Sequence, residues 1–107
     1  MKKQKYTVDY FIDKFSNIYE SCWCTFAYTD PYLSHCALGH CGASESNPRT
    51  PESSALIALF DKVNLSVASV NDNDNRDDEL AYDCFGSTAK ERILTVLTNI
   101  KYMYPSL

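Results

Sequence analysis

Six side chains between positions 22 and 41 are of the kinds that hold metals or attack electrophiles: Cys22, Cys24, His35, Cys36, His40 and Cys41. Their order is C-x-C-x10-H-C-x3-H-C. Zinc takes thiolates and imidazoles in a tetrahedron, so Cys22, Cys36, His40 and Cys41 form the candidate metal set. Cys36 and His40 have the one-turn spacing of a helix face, but Cys22-x-Cys24 is tighter than the usual zinc knuckle. A cysteine nucleophile is the second chemistry. Such a thiolate needs an imidazole or a helix N-terminus beside it; here Cys36 would attack, His40 would be the base, and Asn71 or Asp72 would orient the ring. Catalytic partners normally come from separate elements, so a pair on one helix is unusual. Against both stands the plainer reading of buried thiols and hydrogen-bonded imidazoles in a small core, which is the one preferred. No cofactor is expected.

The stretch that must position these groups is His35-Cys36-Ala37-Leu38-Gly39-His40-Cys41-Gly42, which holds both histidines and two of the three glycines. Small residues there let other backbones approach closely. The pattern predicts a short helix from about Ser34 to Gly42, with Ser34 as N-cap and Gly42 in the left-handed position that ends it. Stronger helical signals flank it. Val8, Phe11, Ile12, Phe15 and Ile18 recur at three-and-four spacing, predicting an amphipathic helix over 7–19 capped by Thr7. Thr50-Pro51-Glu52 is a helix start, with Ala55, Leu56, Leu59, Phe60 and Val63 on its buried face. Thr88 with Glu91 opens the last helix, whose stripe is Ile93, Leu94, Leu97, Ile100 and Tyr104, and Pro105 closes it.

The segments between are less regular. Cys22 to Tyr28 reads as a short strand or ordered loop laying Trp23 and Phe26 over the helices, with Trp23 as a core lid whose indole amide is bonded. Leu65 to Val70 reads as a short extended segment or an irregular lead into the next loop. The expected fold is a small, mainly α single domain, 1–107, of about four helices. It leaves room for a short two-stranded pairing of 22–28 against 65–70, and residues 1–6 form a flexible basic tail. Asn71 to Glu79 is the most acidic run. A calcium loop starting at Asp72 would put Arg76 and Asp77 where an oxygen ligand and a glycine belong, so a solvated loop is the better reading. Asn71 or Asp72 should fix its first turn, at least half buried and bonded to backbone amides near the Gly39–Gly42 turn and His40. Leu80 to Phe85 should return to the core.

Composition narrows the classes. The chain has 107 residues, 45% hydrophobic and 22% charged, which suits one soluble core. A net charge of −4 gives no general nucleic-acid footprint, so direct nucleic-acid binding is not expected. No apolar run approaches the roughly 20 residues of a membrane span. Five cysteines are an odd number and too few for a disulfide scaffold, so a reducing cytoplasmic setting is expected. Phosphate-binding glycine loops, H-E-x-x-H and G-x-S-x-G motifs are absent.

Trp23, the run Cys36 to Gly42, the pair Asn71-Asp72, and Ser87 through Leu94 together resemble a group of short uncharacterised proteins of bacteriophages, prophages and gut bacteria. A looser version of the pattern is similar to an actinobacterial domain of unknown function. The resemblance spans about residues 8–104 and implies a helical fold and a phage-like origin, with no activity attached. The group's pattern often lacks cysteine at position 24, which weakens any zinc set using Cys24.

Three functional readings follow. The first is a non-catalytic accessory protein, a host-defence antagonist that binds a host protein or sequesters a small nucleotide-like signalling molecule. Its candidate ligand-binding residues are Trp23, Tyr28, His35, His40, Asn71 and Asp72. Tyr32 and Tyr82 are further aromatics that could stack a base, and His35, Arg49 or Lys90 could meet phosphate. The alternatives are a cysteine enzyme using Cys36, His40 and Asn71, and a zinc-stabilised adaptor. An oligomer is compatible with all three.

Overall fold

Helix α5 (Ala89–Met103) is the member on which the others pack in the computed structural model, which describes residues 5–74 and 82–107. Ala89, Arg92, Ile93, Val96, Leu97 and Ile100 recur at three-and-four spacing along it, and all are buried. Against this stripe lie α1 (Val8–Ser16), α2 (Ala37–His40), α3 (Pro51–Asp61) and α4 (Val67–Asp72). A 3-10 turn at Tyr82–Phe85 also touches α5, and a second one, Glu20–Cys22, follows α1. The domain is therefore mainly α, and its shared core centres on Phe11, Phe15, Leu56, Phe60, Val70, Ile93, Leu97 and Ile100. Phe11 and Phe15 stack with ring centroids 5.9 Å apart.

Three helix starts, at Thr7, Thr50 and Thr88, are those that capping chemistry predicts. The Thr7 hydroxyl accepts from the Tyr10 amide at 3.1 Å. Thr50 accepts from the Ser53 amide at 3.0 Å while the Ser53 hydroxyl accepts from the Thr50 amide at 2.8 Å, with Pro51 in the first turn where its missing N–H is harmless. Thr88 accepts from the Glu91 amide at 3.1 Å, and the Glu91 carboxylate accepts from Ser87 rather than Thr88. Each such cap stabilises its helix by about 1 kcal/mol. Between α1 and α3, Glu52 accepts from the Tyr10 hydroxyl and, at 2.6 Å, from Lys14.

Several expected boundaries move. The first helix stops at Ser16, where the Asn17 amide turns back to the Lys14 carbonyl, instead of running to 19. The central helix is only Ala37–His40. Ser34 is not its cap: the Ser34 amide and carbonyl are both used by Asp30, and its hydroxyl donates to the Ser21 carbonyl. Cys36 takes the cap position, its sulfur accepting from the Gly39 amide at 3.4 Å. Gly42, at φ +86°, does end the turn in the left-handed region.

The proposed pairing of 22–28 with 65–70 is wrong. Ser66 caps α4 instead, its hydroxyl accepting from Ser69, and Val67 and Val70 fall on one buried helical face. Trp23 of this segment, and Thr29 just beyond it, form isolated bridges with His35 instead. Phe85 packs against the core as expected. Residues 1–4 of the basic tail, Leu80, Ala81 and most of the acidic run lie outside the described residues, as does the Tyr82 side chain. Among the described residues, no helix is long and apolar enough to cross a membrane.

Candidate binding site

The site begins at a buried arginine. Arg92 sits on the apolar stripe of α5 and is 5% exposed. Its Nε donates to the Val70 carbonyl and its Nη2 to the Asn71 carbonyl, both at 2.8 Å. These are carbonyls of the last turn of α4 and carry the negative end of its dipole; the Val70 carbonyl is also met by the Asn73 amide at 3.3 Å. Arg92 thereby fixes the end of α4 that bears Asn71 and Asp72.

Asn71, 1% exposed, spends its amide group on two separate segments. Its Oδ1 accepts from the Ala37 amide at 3.0 Å, and its Nδ2 donates to the Cys24 carbonyl at 3.0 Å and to Asp72 Oδ1 at 2.8 Å. The same Asp72 oxygen accepts from the Phe26 amide at 2.9 Å. The expected burial and amide bonding of Asn71 therefore hold, and its partner is the start of α2. Between Cys24 and Ser34 the loop has a second anchor, because Asp30 Oδ1 accepts from the amides of Tyr32 and Ser34.

What this anchoring holds up is unusual. Phe26, Tyr32 and Leu33 are 71, 88 and 78% exposed. Phe26 and Leu33 have φ of +61° and +64°, a region that residues with a Cβ seldom enter. Beneath Phe26 opens a cleft of about 360 Å³, walled by Ala27, Tyr28, Cys36, Leu38, Val67, Ala68 and Asn71, with Glu45 and Asp72 as its two ionisable carboxylates. Gly39 makes the floor possible. A Cβ there would stand 2.1 Å from the Tyr28 carbonyl oxygen, so only glycine lets the loop backbone lie this close to α2.

The candidate residues thus divide in two. Tyr28, Cys36, Asn71 and Asp72 line the cleft. Trp23, His35 and His40 form a separate cluster, with Trp23 and His40 centroids 5.0 Å apart and the two imidazoles 5.2 Å apart. Trp23 also packs edge-on against Phe15, as a lid should, but its indole Nε1 is buried with no partner among the described residues. His35 Nδ1 is 2.8 Å from the Thr29 hydroxyl, and His40 Nε2 donates to the Cys22 carbonyl at 3.0 Å.

Neither the thiolate nor the zinc arrangement is assembled. Cys36 gives its sulfur to the Gly39 amide and the His40 ring turns to Cys22, so among the described residues no hydrogen bond joins the thiol to the imidazole. Burial pushes the Cys36 thiol up, the opposite of activation. Burial, with His35 beside it, pushes His40 down to about 4, so it is a neutral imidazole. Cys41 is also driven up, by burial and then by the Glu52 charge. Cys22 is exposed while Cys36 and Cys41 are buried, and the described residues contain no group of three metal-ligating side chains placed for an ion.

The cations suggested for phosphate do not converge on the cleft either. Lys90 donates to the Ser16 carbonyl, His35 belongs to the Trp23 cluster, and Arg49 lines a neighbouring depression together with Asp61. Sequence reasoning missed Arg92 and Glu45, and it laid Phe26 over the helices where the structure turns it to solvent. A signal for Arg92 was present, since it is the one charged residue in phase with the apolar stripe of α5. Nothing in the spacing distinguishes Phe26 from the other aromatics. No protein family, curated protein or solved structure matches this chain.

Proposed function

We propose that the chain is a non-catalytic accessory protein, of the phage-like origin its motifs resemble, that antagonises host defence by docking on a host protein. The observation that carries this reading is the 24–34 loop. Three large apolar side chains are exposed on it, two in costly backbone conformations, and a buried asparagine and two aspartates hold the backbone in place. Exposed aromatic and aliphatic anchors on a fixed backbone are what binding hot spots are made of, and backbone strain of this kind clusters at functional sites. The raised Cys36 thiol and the neutral, otherwise engaged His40 favour binding over thiol catalysis. Between the two ligand classes, a protein is favoured over a nucleotide-like molecule, because Glu45 and Asp72 would repel phosphate.

The test is affinity capture from a bacterial host lysate with the parent and with a Tyr32→Ser, Leu33→Ser double variant. The expected result is a discrete protein retained by the parent and lost by the variant. The same proteins on both columns, or fast selective alkylation of Cys36 at neutral pH, would overturn the reading.

A further inference from the structure

We infer that the cleft beside the loop takes a basic side chain, an arginine or lysine from a cationic segment of the partner protein. The inference rests on the docking role proposed above and specifies the chemistry of the partner. Two carboxylate side chains line the cleft, Glu45 and Asp72, and among the described residues no lysine, arginine or histidine does. Cys36 also faces it, but with its thiol pushed up by burial it adds no charge. The aromatic residues Phe26 and Tyr28 line the same cleft. Carboxylates beside aromatic faces are the surroundings a guanidinium or ammonium prefers, since the ring quadrupole and the carboxylate both attract the cation while its aliphatic stem lies on the apolar wall.

The local bonding couples the two features. Asp72 Oδ1 accepts from the Phe26 amide, so the carboxylate at the cleft is also the group that fixes the aromatic at its rim. Asn71 donates to the same oxygen, which leaves Asp72 Oδ2 without a partner among the described residues. Glu45 is exposed and makes no hydrogen bond or ion pair among the described residues that a ligand would have to break. A free small cation would fill only the cleft. The neighbouring exposed Tyr32 and Leu33 extend the apolar surface beyond it and call for a polypeptide. The net charge of −4 favours encounter with a basic partner.

Arg49 provides an internal control. It lines the adjacent depression, which shares Tyr28, Leu38, Val67 and Ala68 with the cleft. A basic ligand gains from its removal or ignores it; an anionic ligand would depend on it.

The experiment is an NMR titration of the full chain with three peptides of the same leucine pattern, the intervening positions being arginine, glutamine or glutamate, and with agmatine as a free cation. The arginine peptide should shift the amides of Phe26, Tyr28 and Asp72 and bind most tightly. Its affinity should fall about tenfold in Glu45→Gln, fall further in Phe26→Gly, and hold or rise in Arg49→Gln, with clear weakening as salt increases. Glu45→Gln lies on the surface, so its fold is not at risk. Tighter binding of the glutamine or glutamate peptide at the same amides would overturn the basic-partner inference and leave the docking reading standing. Agmatine binding as tightly as the arginine peptide would overturn the polypeptide assignment. No shift with any probe would count against both.

Discussion

The His35–Gly42 stretch and the Cys24–Ser34 loop touch one another and are built on opposite rules. The first is made of small residues, is mostly buried, and has its polar atoms engaged: Cys36 by Gly39, His40 by Cys22, Ala37 by Asn71. The second turns Phe26, Tyr32 and Leu33 to solvent and bends through left-handed conformations to do so. The residues richest in reactive chemistry serve as the floor, and the residues with no reactive chemistry form the exposed surface. A concentration of cysteine and histidine marks a place where backbones meet closely as readily as a place where bonds are made.

The largest effect should come from breaking the contact between the two regions. Gly39→Ala would push a methyl group to 2.1 Å from the Tyr28 carbonyl, where backbone, and not a flexible side chain, must move. It should cost more than about 3 kcal/mol, or prevent folding, as read by urea denaturation.

Next in size is Asn71→Ala. It strands the Ala37 amide and the Cys24 carbonyl together, and should cost about 2–3 kcal/mol by the same measurement. A variant that melts like the parent while losing partner binding would place Asn71 in the recognition surface and not beneath it.

Acid sharpens the comparison at the Trp23–His40 cluster. His40 is held neutral in the folded chain, down to about 4 from an ordinary 6.5, chiefly by burial. Stability from it is fully present above about pH 6.5 and is lost as pH falls toward 4, by on the order of 1–2 kcal/mol once partial exposure is allowed for. Burial works to raise the Glu52 carboxyl, but hydrogen bonds from Lys14 and Tyr10 outweigh it and hold it low. Its contribution is likewise lost on acidification, below the ordinary carboxylate value. His40→Gln, which keeps a donor for the Cys22 carbonyl, should flatten the urea midpoint between pH 6.5 and 4 and leave the fall at lower pH.

The smallest effect on stability belongs to Phe26. Its left-handed backbone costs roughly 1–2 kcal/mol for a residue with a Cβ, while glycine adds roughly 0.5–1 kcal/mol of chain entropy to the unfolded state. Phe26→Gly should therefore leave the melting temperature unchanged or raise it slightly, measured by calorimetry. A fall of several degrees would mean that the ring is part of the core.

The mainly α architecture was legible because α1, α3 and α5 announce themselves twice, by apolar spacing and by a capping threonine at 7, 50 and 88. The shorter elements carry no such redundancy. Four residues cannot display a period, so α2 was drawn too long, and Ser66, its capping role obscured among neighbouring serines, led to an extended reading of α4. Asn71 was legible as a buried turn-former because a short amide side chain next to an apolar segment has few other uses. The division of the candidate residues into a cleft and an imidazole cluster was not, since it depends on the bridges of Trp23 and Thr29 to His35, which are made across the loop and leave no local pattern.

The central claim is that the exposed loop is held in place for recognition. Amide hydrogen exchange at Phe26 tests it most directly. The residue is 71% exposed, yet its N–H is bonded to Asp72, so it should exchange at least about a hundredfold more slowly than an unstructured amide, with protection lost in Asp72→Ala and retained at Ala37. Exchange of the Phe26 amide at the unstructured rate in the parent protein would contradict the account, because the loop would then present no fixed surface.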